Sequence, residues 1–169
     1  MTTEWWLLYE KGIWFALASL GFAVLFNVPP RTLFLIMILA LIGGMTRVIM
    51  LHYGINIILG SFAGATIIGF LSVQAAHIRH APHLVFSIPA VIPMVPGVLA
   101  YRTMLGLINL ASEHSHTPLN QILTETTSNG LKMAFILIAL AVGVSVPMLI
   151  SRQETFKHFS FSKKKKAKV

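Results

Sequence analysis

The sequence predicts an all-α integral membrane protein. Of its 169 residues, 56% are hydrophobic and only 11% are charged, and the mean hydropathy is +0.78. Soluble domains usually contain about 25% charged residues, so the composition argues against a water-soluble enzyme or binding module. The chain contains no Cys, which excludes disulfides and thiolate metal sites.

Charged residues divide the chain into uncharged stretches that are long enough to cross a bilayer. The longest contain 19, 31, 22 and 19 residues and begin after Lys11, Arg47, Arg79 and Lys132. Because a helix needs about 20 apolar residues to span the hydrocarbon core, we predict about five hydrophobic segments. They cover residues 5–28, 33–51, 54–76, 83–101 and 131–150.

The first segment is expected to remain in the membrane and not to be a cleaved signal peptide. Glu4 precedes it where a signal peptide has basic residues, and no A-x-A cleavage site follows it. All three tryptophans, at positions 5, 6 and 14, lie near its start. Indole rings favour the lipid headgroup region, so this end is predicted to be an interfacial anchor.

The second segment contains an arginine near its end, and the first contains a carboxylate near its start. Arg47 is expected either to extend to the nearby interface or to contact an anion inside the bundle. Glu10 could be a proton-coupling carboxylate. Its neighbour Lys11 and the nearby tryptophans favour an interfacial position for Glu10 instead.

The third segment places small residues along one face of a helix. Gly60 and Gly64 form a GxxxG motif, and Ser61, Ala65 and Gly69 repeat a small residue every four positions. Small side chains allow another helix backbone to approach closely. The pattern predicts static helix packing, with a sliding interface as the alternative.

The fourth segment is predicted to be a broken helix. Pro89, Pro93 and Pro96 are followed by Gly97. Each proline removes one N–H donor and displaces the carbonyl four residues earlier, and lipid cannot satisfy such carbonyls. The carbonyls expected to be freed belong to Val85, Pro89 and Ile92. Because transporters build substrate sites from broken helices near the bilayer midplane, we expect substrate to bind here, with a merely kinked helix as the alternative.

The polar connections are not expected to bind a metal. His77, His80 and His83 are three residues apart, but Pro82 interrupts the run and a solvated loop is predicted. Further along, Thr117 is predicted to cap a short amphipathic helix that reaches Ser128 and ends at Asn129 and Gly130.

The distribution of basic residues predicts the orientation. Seven of the 13 Lys and Arg lie in the 18 residues after Ser151, so we expect a transmembrane domain at 1–150 and a polybasic cytoplasmic tail at 151–169. Five spans would place the N-terminus outside, and four spans would place it inside. The tail is expected to contact anionic lipids and not nucleic acid.

Several short runs resemble the bacterial threonine/serine exporter family. They are GFAVLFNVPPR at 21–31, GGMTR at 43–47, GIN at 54–56 and, most specifically, AVIPMVPGVLAY at 90–101. Within that family the chain is similar to the small half-transporter subunit of enterobacterial succinate export. The likeness extends from about Gly21 to Pro147 and does not include the polybasic tail.

The resemblance implies a function and a partner. Family members export small anionic or zwitterionic metabolites, either threonine and serine or dicarboxylates such as succinate, across the bacterial inner membrane. A chain of this size would work with a larger membrane subunit of the same family. The residues that match recurring positions of the family are Asn27, Pro29, Pro93, Pro96, Gly97 and Tyr101.

Two functions are therefore considered. The first is one half of a secondary transporter, with Arg47 and Pro89 added to the substrate-binding candidates. The second is a non-transporting scaffold that stabilises a partner protein, suggested by the small-residue faces. The sequence has no nucleophile elbow, phosphate loop or HExxH motif, so neither an enzyme nor a cofactor is predicted.

Overall fold

The computed structural model is all-helical over the part of the chain that it describes. It describes residues 2–111 and 118–166, with the side chains of residue 6 and of residues 8–111 and 118–151. The elements in chain order are α1 (Thr2–Leu25), α2 (Pro30–His52), α3 (Ile57–Arg79), α4 (Leu84–Val91), a 3-10 turn (Ile92–Met94), α5 (Gly97–Ala111) and α6 (Leu119–Lys166).

The helix ends follow from local residues. Asn27 adopts a left-handed conformation (φ +54°) in the turn after α1, and the fixed φ of Pro30 suits the first position of α2. The Asn56 side chain caps α3 by accepting a hydrogen bond from the Ile58 N–H at 3.1 Å. His80, also left-handed (φ +50°), ends that helix.

The first three long helices form an antiparallel layer that is packed through glycines. A methyl group on Gly44 would overlap the Phe15 ring of α1, and one on Gly64 would overlap the Gly43 carbonyl of α2. Helix α4 packs against α1, α2 and α3. Phe86 of α4 is fully buried in the common apolar core.

The last helix runs parallel to α3, and this direction determines the path of the chain between them. Gly143 contacts Ala65, and Pro147 contacts Gly69, so residue numbers increase together along the two helices. The chain must therefore return along the whole bundle between them. Among the described residues of that interval, the α4–α5 pair, bent by 57°, provides the return, and counting it as one span raises the candidate membrane spans from four to five.

The structure confirms the all-helical membrane architecture and corrects some predicted boundaries. The predicted segment 83–101 is divided between two helices, the second of which continues to Ala111. The short helix that was expected to end at Asn129 and Gly130 does not end there, because α6 continues unbroken through both residues. Thr117, its expected cap, lies outside the described residues.

Candidate functional site

The chain breaks where the sequence concentrates proline and glycine. Helix α4 includes Pro89, tightens into the 3-10 turn and stops at Val95, whose backbone is extended (φ −61°, ψ 132°). Pro96 follows, and α5 starts at Gly97 in a new direction. Neither proline can donate a backbone hydrogen bond, so the turn replaces helical bonding at this point.

The turn satisfies one of the three carbonyls expected to be free, and another helix donates to a different carbonyl, that of Met94. The Ile92 carbonyl accepts a hydrogen bond from the Val95 N–H at 3.0 Å. The Met94 carbonyl faces the neighbouring helix and accepts a hydrogen bond from the Arg47 guanidinium. Arg47 is half-buried, and the contact that its side chain makes with protein is this carbonyl inside the bundle. It acts as a cross-helix donor that stabilises the break.

The break lies well inside the bundle. Met94 packs against Gly64, seven residues after the start of α3, which is roughly 10 Å along the helix at 1.5 Å per residue. On the side of α1, Pro93 lines a shallow cavity of about 310 Å³ together with Lys11, Trp14, Phe15 and Ala18. This cavity brings one cation within reach of the broken segment.

The structure gathers only part of the residues predicted to bind substrate. Arg47, Pro89, Pro93, Pro96 and Gly97 lie at or beside the break. Tyr101 lies one turn further along α5, with its side chain 65% exposed on the outer surface.

Asn27 lies apart from that group. It belongs to the turn before Pro30, and the 17 residues from Pro30 to Arg47 span roughly 25 Å of helix. Its positive φ of 54° gives it a role in the turn, because Asn tolerates the left-handed conformation better than most residues.

The predicted small-residue face divides between two neighbours. Gly60 and Gly64 face α2, whereas Ala65 and Gly69 face α6, where Gly143 supplies the complementary gap. Ser61 is fully buried and donates a hydrogen bond to the Ile57 carbonyl at 2.7 Å. These contacts are close enough to fix helix positions.

The other titratable candidates lie away from the break. Glu10 is exposed and accepts a hydrogen bond from the Trp14 indole at 3.4 Å. His77, His80 and His83 line an open cavity of about 420 Å³ where α3 meets α4. Within the described part of the chain, no group of three or more His, Cys, Asp or Glu could hold a metal ion.

A third, more polar cavity lies in the hairpin formed by α5 and α6. It measures about 720 Å³, and its lining includes Arg102, Lys132, Glu125, Asn109 and Asn129. We refer to it as the hairpin cavity. The sequence does not indicate this cavity, because its residues are separated by up to 30 positions and Arg102 and Lys132 lie in the sequence as ends of apolar stretches.

Close helix packing forms the wall of the hairpin cavity. Gly106 touches the buried Thr126, and Gly130 lies beside Thr103, so α5 and α6 run antiparallel. Gly143 of α6 lies beside Ala65 of α3. Helix α3 begins eight residues before Ala65, whereas the cavity residues of α6 lie 11 to 21 positions before Gly143. The hairpin cavity therefore lies at and beyond the Ile57 end of the bundle.

Comparison with known proteins identifies the family. The family model described as "Threonine/Serine exporter, ThrE" matches residues 11–150. The chain belongs to the threonine/serine exporter family. Members of this family are transporters, and the four unbroken spans with one bent pair make this chain a multi-pass membrane member of it.

One curated relative shares the sequence over most of the chain. This exporter-family chain is 35% identical over 144 residues to an uncharacterized protein of Haemophilus influenzae. The aligned region covers 85% of this chain and 47% of the relative, so the chain spans about half the length of the curated relative that it matches. No solved structure matches the chain.

Proposed function

We propose that this chain is one half of a secondary transporter that exports small metabolites across the bacterial inner membrane. The family match over residues 11–150 supports this proposal most directly. The metabolites are threonine and serine or dicarboxylates such as succinate. The polybasic tail then lies in the cytoplasm, against anionic lipid.

The substrate path is proposed to run along the broken segment. A helix interrupted inside the bundle exposes backbone groups that can hold a polar ligand. Pro93 and Gly97 frame the interruption, and Lys11 lies beside Pro93 in the adjacent cavity. Alternating access would come from movement of this segment against a partner.

The partner is proposed to be a larger membrane subunit of the same family. Helix α5 supports this proposal because none of its 15 residues, all of which are described, is buried. Several of its apolar side chains are half-exposed or more, including Val98, Tyr101 and Met104. A partner helix would cover this surface, and the relative's length, about twice the aligned region, leaves room for such a second half.

Export measured with matched variants tests the proposed path. Both subunits would be co-expressed, and efflux of labelled threonine and succinate would be followed for Pro93→Ala and Gly97→Leu. The controls are Pro30→Ala, at the exposed start of α2, and Gly21→Leu. Gly97 and Gly21 both have open space around them, so a leucine fits at either position.

The expected result is a loss of export in the two break variants and near-normal export in the two controls. Normal export by correctly inserted break variants would overturn the assignment of the path. The scaffold alternative is supported by the tight packing around Gly64 and Gly143. Full transport by the partner subunit alone would favour that alternative.

A further inference from the structure

The hairpin cavity brings together three of the eight charged side chains that the structure describes. The described side chains include six Lys or Arg residues and two Glu residues. Arg102, Lys132 and Glu125 all line this one cavity. In a protein with only 11% charged residues, such a concentration calls for a reason beyond the marking of helix ends.

These groups are available to a ligand. Within the described part of the chain, Arg102 and Lys132 form no ion pair, and neither Asn109 nor Asn129 uses its side chain in a hydrogen bond. Glu125 accepts one bond, from the neutral Gln121 amide at 3.3 Å, which leaves its charge uncompensated. The volume of about 720 Å³ falls in the range of small-molecule sites, about 300–1,000 Å³.

We propose that the hairpin cavity binds a small zwitterion that carries both a carboxylate and an ammonium group. Arg102 and Lys132 supply donors for the carboxylate, and Glu125 accepts from the ammonium. Asn109 and Asn129 offer both donors and acceptors to a hydroxyl group. The nearby Glu125 charge disfavours a second carboxylate, so an α-amino acid fits better than a dicarboxylate.

This inference rests on the proposed export function and extends it. The hairpin cavity lies at the Ile57 end of the bundle, whereas α6 carries the tail away from the opposite end. With the tail in the cytoplasm, the cavity opens on the outer side of the membrane. It is then a binding site on the exit side of the path, separate from the helix break.

Binding to the full chain tests the inference. The purified protein would be placed in phosphatidylcholine nanodiscs and titrated with radiolabelled L-threonine. The variants are Arg102→Gln, Lys132→Gln and Glu125→Gln, and the matched control is Arg31→Gln, an exposed arginine at the other end of the bundle. Two competitors separate the charged groups: L-threoninol lacks the carboxylate, and 3-hydroxybutyrate lacks the ammonium.

Loss of a charge-assisted hydrogen bond weakens binding by about tenfold or more, so Arg102→Gln and Lys132→Gln should bind threonine at least about tenfold more weakly. Arg31→Gln should bind like the natural chain. In Glu125→Gln, 3-hydroxybutyrate should compete nearly as well as threonine. Absence of saturable binding, or equal affinity in all the variants, would overturn the inference.

Two further outcomes separate this inference from neighbouring possibilities. Threonine displaced by phosphatidylglycerol, with that lipid retained through Arg102 and Lys132, would make the cavity a headgroup site and overturn the inference. Normal threonine export by Arg102→Gln with its partner would overturn the site and leave the proposed function intact. Threonine binding without export by the natural complex would leave the site intact and overturn the proposed function.

Discussion

Gly64 gives a quantitative prediction, because among the glycines its added methyl group would lie nearest to the backbone of another helix. A methyl group at this position would lie 2.6 Å from the Gly43 carbonyl oxygen of α2 and 2.6 Å from the Met94 methyl group. Ordinary contact begins at 3.4 Å, so the backbone contact is 0.8 Å too short. Gly64→Ala must therefore push α2 and α3 apart, because the obstructing atom belongs to the backbone.

The size of the effect follows from two opposing terms. Overpacking of this kind costs about 1–3 kcal/mol. Alanine in place of glycine inside a helix gains about 1 kcal/mol, and Gly21→Ala provides that gain alone because nothing lies within 4 Å of its added methyl group. The stability of Gly64→Ala should thus fall about 1–3 kcal/mol below that of Gly21→Ala.

A third glycine separates backbone clashes from side-chain clashes. A methyl group on Gly12 would also meet an atom at 2.6 Å, but that atom is the sulfur of Met45. Methionine is flexible and can move aside, so Gly12→Ala should fall between the other two variants.

Equilibrium unfolding in mixed SDS and dodecylmaltoside micelles, followed by circular dichroism, measures all three variants. Equal stability of Gly64→Ala and Gly21→Ala would refute the packing argument. So would a larger loss in Gly12→Ala than in Gly64→Ala.

The same measurement checks three other predictions. Arg47→Met should cost about 1–3 kcal/mol because the Met94 carbonyl loses its donor, and Arg47→Lys should cost less; no loss in Arg47→Met would mean that the arginine only extends to the interface. Asn27→Gly should leave the free energy of unfolding nearly unchanged, and Asn27→Val should lower it by about 1–2 kcal/mol because Val does not tolerate a positive φ. Equal stabilities of the two variants would contradict the role of Asn27 in the turn. Gly106→Ala should lower the free energy of unfolding by about 1–3 kcal/mol because its methyl group overlaps Thr126. Adding Thr126→Ala should recover part of that loss, and strictly additive effects of the two substitutions would contradict the overlap.

Much of the architecture could be predicted from the spacing of charged residues. Burying a charge in hydrocarbon is costly, so Lys11, Arg79 and Lys132 mark the ends of apolar stretches with little ambiguity. The break at Pro93 and Gly97 was also predictable, since proline removes a helix donor wherever it occurs. These features depend only on local chemistry.

Features that depend on distant neighbours could not be predicted in this way. Asn129 and Gly130 are typical of a helix end, yet α6 passes through both because Gly130 packs against Thr103 of α5. Of the carbonyls expected to be free, at Val85, Pro89 and Ile92, that of Ile92 accepts a bond from the Val95 N–H in the 3-10 turn, and the carbonyl that Arg47 bonds is that of Met94. The Gly130–Thr103 contact and the Arg47–Met94 bond both join residues that are distant in the sequence.

Arg47 shows why this difference matters for function. From sequence, an intramembrane arginine beside a broken helix suggests a contact with an anionic substrate. In the structure the guanidinium already donates to the Met94 carbonyl, 47 positions away in the chain. That bond uses one of the five N–H donors of the guanidinium, and a substrate that broke it would leave the Met94 carbonyl unsatisfied, at a cost of about 1–3 kcal/mol. Lys11 beside the break and Arg102 and Lys132 in the hairpin cavity have no such bond among the described residues. We therefore propose that the broken helix is the moving part of the path and that the hairpin cavity is where the charge of the substrate is recognised.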